Sequence, residues 1–84
     1  MDKSRYKLPE DLAGLLRSEW EIIIEQAGFD AVDESIARDC LMDRYTQAYA
    51  ASGVDRSRVS VCRRLPYIVS RARCVAIKMK MIPQ

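Results

Sequence analysis

A chain of 84 residues has material for one hydrophobic core, because a domain this small buries only about two thirds of the surface its unfolded form exposes. Hydrophobic residues at 49% and charged residues at 31% exclude a disordered polyelectrolyte, and no apolar run approaches the roughly 20 residues that a membrane-spanning helix needs. The net charge is only +2, yet residues 1–50 carry six Lys/Arg against eleven Asp/Glu and residues 51–84 carry eight against one. Halves of −5 and +7 either attract each other, within the fold or within a dimer, or leave the basic half facing a polyanion and the acidic half facing solvent or a protein partner.

Residues 1–7 are polar and are expected to fray. Their positive charges lead into Leu8-Pro9-Glu10-Asp11 and not into an apolar stretch, so no secretory signal is expected and the setting implied is cytoplasmic. Pro9 suits a first helical turn, and Glu10 and Asp11 place negative charge where a helix N-terminus favours it. From Leu12 to Ala27 the residues Leu12, Leu15, Leu16, Trp20, Ile22, Ile23, Ile24 and Ala27 fall on one wide arc at 100° per residue, which predicts a helix with Gly28 as its C-terminal cap. Trp20 is expected to anchor the core.

Asp30 or Asp33 can cap a second helix running to about Ser52, with Ile36, Ala37, Cys40, Leu41, Tyr45 and Ala48 on one broad face and Gly53 at its end. The short loop between them predicts antiparallel packing of these two helices. The first is apolar over more than half its circumference, so later helices, or a second copy of the chain acting through this face, must cover it. After Gly53, Asp55 can cap a short helix ending near Pro66. From Tyr67 onward Ile68, Ala72, Val75, Met79 and Ile82 keep helical spacing, whereas Val75, Ile77, Met79 and Met81 alternate as a strand would. The expected fold is thus all-α, a small three- to four-helix bundle forming one domain over residues 1–84; the alternative is α+β with residues 67–82 as a strand.

Little in the chain points to chemistry. There is no histidine to serve as general base or metal ligand, the spacing of Cys40, Cys62 and Cys74 fits no zinc pattern, and the three glycines are isolated, which excludes a phosphate-cradling glycine loop. The cysteines read as reduced, partly buried small hydrophobes. Acidic pairs one turn apart, Glu21 with Glu25 and Asp39 with Asp43, belong to solvated helix faces. The expectation is a binding protein with no catalytic residues, no metal and no cofactor.

One segment rises above this background. In Gly53-Val54-Asp55-Arg56-Ser57-Arg58-Val59-Ser60 a glycine suited to a left-handed turn is followed by an apolar plug, a short polar cap and, five residues beyond the plug, Val59 to pack the next helix back. Residues 46–65 thereby resemble the helix-turn-helix of lac-repressor-type regulators. They depart from it at Tyr49, where the motif has a small residue whose role Ala48 or Ala50 would take, and at Ser52, where an apolar residue is usual. The resemblance implies a recognition helix over residues 56–64 with Arg56, Arg58, Ser60, Arg63 and Arg64 meeting DNA, flanked by Arg71, Arg73, Lys78 and Lys80 on phosphates. It implies a small DNA-binding transcription regulator, expected to be a homodimer since one short recognition helix gives little affinity alone. Tyr67, beside Arg63, Arg64 and Arg71, is expected as a half-buried core residue, with base stacking or a cation–π contact as its other role. The alternative function is a non-enzymatic helical interaction module whose basic half docks onto an acidic protein.

Overall fold

The computed structural model describes residues 6–54 and 58–83, and over them the chain forms five α-helices and no strand. Pro9, Glu10 and Asp11 open α1 (Glu10–Ala13), a single turn in which the Leu12 and Ala13 N–H groups both donate to the Pro9 carbonyl at 3.0 Å. The predicted uninterrupted helix to Ala27 does not form. The chain leaves the helix at Gly14, a poor helix former, and re-enters it as α2 (Arg17–Ala27) after an extended Leu16. The Glu19 carboxylate accepts the Leu16 N–H at 2.8 Å and so satisfies a donor at the new N-terminus. The break lets Leu12 turn fully inward while α2 buries Trp20, Ile23, Ile24 and Ala27. Gly28 ends α2 at φ 67°, the left-handed conformation the sequence predicts for it.

Asp30 caps α3 (Ala31–Ala37), its carboxylate accepting the Asp33 N–H at 2.8 Å. α3 runs on into one π-helical turn, Arg38–Met42, closed by a 2.9 Å bond from the Asp43 N–H to the Arg38 carbonyl. The single helix predicted to Ser52 stops there. Arg44 turns the chain left-handed at φ 60° and donates to the Tyr6 carbonyl at 2.9 Å. The Thr46 hydroxyl then accepts the Tyr49 N–H at 3.0 Å to start α4 (Gln47–Gly53). Cys40 is fully buried against this corner, and burial pushes its thiol up to about 11. Cys62 and Cys74 are exposed, so the partly buried reading of the cysteines holds for neither.

The largest departure lies in α5 (Arg58–Lys78), 21 residues that pass straight through Pro66, where the sequence predicts a helix end. Its inward face carries Val61, Leu65, Ile68, Val69, Ala72 and Ala76, all buried, and this series continues across the proline without a change of phase. Pro66 itself is exposed, so its ring meets solvent, and its missing N–H costs one bond to the Cys62 carbonyl. Burial on both sides of Pro66 outweighs that loss. The strand alternative for residues 67–82 is excluded over 67–78, all of which are helical. α5 packs against α2, α3 and α4, while α2 also contacts the π turn. The wide apolar arc that the sequence offers as a dimer face is thereby mostly covered within the chain, leaving Leu16 (65% exposed) and Ile22 (42%) in solvent.

α5 ends in a Schellman motif. The Met81 N–H donates to the Ala76 carbonyl at 2.8 Å and the Lys80 N–H to the Ile77 carbonyl at 3.0 Å, with Lys80 at φ 60° in the place usually taken by glycine. A lysine held there carries strain that glycine would not. Lys80→Gly is expected to raise stability by about 1 kcal/mol, read as a rise of several degrees in the thermal midpoint by circular dichroism. An unchanged or lowered midpoint would show that Lys80 is not strained.

Candidate nucleic-acid interface

Over its 21 residues α5 contains no aspartate or glutamate. Its inward phase is fixed by the buried series, so the opposite side presents Arg63, Tyr67, Ser70, Arg71, Cys74 and Lys78, all exposed. Arg63 and Lys78 stand fifteen residues apart, about 22 Å along the axis. Among the described residues neither has an ion-pair or hydrogen-bond partner, and the same holds for Lys80 just beyond the helix.

Of the other predicted contact residues, Arg64, Arg71 and Arg73 are engaged inside the fold. Arg64 forms a forked pair with Asp33, Nε donating to Oδ1 at 3.0 Å and Nη2 to Oδ2. The Asp33 side chain is only 6% exposed and that of Arg64 48%, and the hydrogen bonds to Asp33 hold the guanidinium more firmly in its charged form. Arg73 makes a similar fork with Asp11, at 2.8 and 3.2 Å, and this hydrogen bonding lowers the Asp11 pKa. Arg71 keeps its charge unneutralised but spends its Nε on the Ala27 carbonyl at the end of α2, at 2.9 Å. Asp33 and Asp11 lie in the acidic half and their partners in the basic half. Part of the charge imbalance therefore closes within the chain, the first of the two outcomes it allowed.

Ser60 is half-buried. It lies with Arg63 and Arg64 on one wall of a cleft of about 450 Å³ whose other wall is the start of α3, with Asp30 and Asp33. Arg58 is the first residue of α5, and Arg56 and the capping role given to Asp55 lie outside the described residues.

Two geometric expectations of the helix-turn-helix resemblance are not met. Gly28 is the one glycine with positive φ, whereas Gly53 stays right-handed as the last residue of α4. Val59, expected to pack the second helix back, is 57% exposed, and Val61 fills that place because the phase of α5 is set by its long inward series. Val54 does pack against the core as the plug, and Ala50 and Ala51, both buried, give α4 its close approach to α5 while Tyr49 points to solvent. The second helix extends far beyond residue 64.

Tyr67 also differs from expectation. It is 52% exposed and not a core residue, and the guanidinium carbon of Arg64 sits 4.7 Å from its ring centroid. Asp33, buried and 31 residues away in sequence, holds Arg64 in this place. No spacing rule in the sequence marks Asp33 as its partner. Among the described residues no group of acidic or cysteine side chains is arranged to hold a metal, and no helix is long and apolar enough to cross a membrane.

No protein-family model matches the chain, and no curated protein and no solved structure resembles it significantly.

Proposed function

We propose that the protein is a non-catalytic, nucleic-acid-binding regulatory protein that meets DNA through the outward face of α5, by phosphate contacts more than by base readout. The observation that carries this reading is a helix about 31 Å long whose solvent face bears Arg63, Arg71 and Lys78 and no carboxylate. A flat cationic face of this kind tracks a phosphate backbone without requiring the left-handed turn or the short recognition helix of a helix-turn-helix. One such face gives modest affinity, so two copies on one nucleic acid belong to this reading. Their contact surface is not the core face of α2, which α5 occupies.

The test is fluorescence anisotropy with a random-sequence DNA duplex over a series of salt concentrations. Arg63, Arg71, Lys78 and Lys80 correspond to a slope of log affinity against log salt of about −3 to −4, from roughly −0.9 per phosphate neutralised. Engagement of all nine basic and polar residues marked in the sequence would give a much steeper fall. No binding of either duplex or single-stranded DNA at the lowest salt would overturn the proposal.

A second reading, a helical protein-interaction module, is favoured by Tyr45 and Tyr49. Their rings meet at a tilt of 44° with centroids 4.5 Å apart, yet the residues remain 43% and 56% exposed. Solvent-facing aromatic pairs are characteristic of interface anchors. On this reading the α5 face meets an acidic protein surface, and a complex with such a protein would persist where DNA binding fails.

A further inference from the structure

Tyr67 stands midway along the cationic face of α5, with Arg63 one turn before it and Arg71 one turn after it, each about 6 Å away along the axis. The Tyr67 hydroxyl can donate to a phosphate, but the face of its ring adds nothing to phosphate binding. It is nonetheless held by a built stack: buried Asp33 grips Arg64 through two N–H groups, and Arg64 lies over the Tyr67 ring at 4.7 Å. With 52% of the residue in solvent, an aromatic ring carrying a fixed cation stands exposed between two cations.

We propose that Tyr67 is a base-stacking platform and that the ligand of this face is single-stranded nucleic acid in preference to duplex. In a duplex the faces of the bases are hidden in the stack and offer nothing to an exposed tyrosine, whereas an unpaired strand can lay a base on the ring while its neighbouring phosphates meet Arg63 and Arg71. Stacking of this kind tolerates any base, which suits a face of cations around one aromatic ring. The Asp33–Arg64 pair serves to orient the platform, which gives a role to an arginine whose charge is already engaged by a carboxylate inside the fold.

This inference rests on the nucleic-acid reading above, and one experiment separates the two. Anisotropy is measured with a fluorescent oligothymidylate and a fluorescent random-sequence duplex of equal length, at the same salt, for the unmodified protein, Tyr67→Leu and Tyr67→Phe. The single strand is expected to bind more tightly than the duplex. Tyr67→Leu should lose about tenfold in affinity for the single strand with little change for the duplex, and Tyr67→Phe should retain the preference. Duplex binding as tight as single-strand binding, or unchanged single-strand affinity in a folded Tyr67→Leu protein, would overturn the platform and leave the phosphate-binding face standing. Failure of both probes to bind the unmodified protein would overturn both.

Discussion

Replacing Pro66 with alanine is expected to stabilise the protein by about 2 kcal/mol. A proline inside a helix costs about 3 kcal/mol through its missing N–H and its clash with the preceding turn, and roughly 1 kcal/mol of that is recovered because proline also restricts the unfolded chain. Alanine at position 66 restores a donor to the Cys62 carbonyl and removes the clash. The residue is exposed, so its ring contributes little to the core and its loss opens no cavity. For a domain of this size the gain corresponds to a rise of about 8–16 °C in the thermal midpoint. A short helix ending at Pro66 followed by a second element predicts the opposite, since proline is well suited to such a boundary and alanine would relax it. A midpoint that stays or falls would therefore show that α5 is interrupted.

Pro66 also shows where local sequence rules lose to packing. The rule that a helix ends before proline is a statement about one hydrogen bond and one steric contact. The series Val61, Leu65, Ile68, Val69, Ala72 and Ala76 is a statement about six buried side chains. Elsewhere local signals prevailed: Gly28 and Asp30 mark a helix end and a helix start as their conformational preferences require. Gly14 and Thr46 carried comparable signals, a poor helix former and a capping hydroxyl, but each lies inside an apolar periodicity that runs on past it. The two long helices predicted in the first half are four shorter segments for that reason, and the two elements predicted in the second half are one.

The site was legible only in part. Arg63, Arg71 and Lys78 share the outward phase of α5, and that phase follows from the apolar positions around them. Whether a given arginine keeps its charge free does not follow from its own surroundings in sequence. Arg64 and Arg73 are neutralised by carboxylates 31 and 62 residues away, brought beside them only by the packing of α5 against the N-terminal half. The places of Gly53 and Val59 depart from the resemblance for a related reason. The resemblance assigned inward roles from a local pattern, whereas the burial of Val61 and Leu65 rotates Val59 into solvent.

Removing Arg63 and Lys78 together is expected to lower affinity for nucleic acid about 60-fold at 0.1 M salt, on the basis that each phosphate contact contributes roughly 0.9 to the slope of log affinity against log salt. The same variant should show that slope reduced by about 1.8, because two counterions fewer are released. The effect is large because neither side chain has an internal partner among the described residues, so neither charge is already spent. It should also be clean: both residues are exposed on one face, and their truncation leaves the buried side of α5 intact, so the circular dichroism spectrum and thermal midpoint should match those of the unmodified protein. The paired measurement of affinity and slope is what makes the result decisive. A loss of affinity with an unchanged slope would mean that the two residues support a fold or a protein contact and not phosphates, and an unchanged affinity in the folded double variant would remove the α5 face from the function altogether.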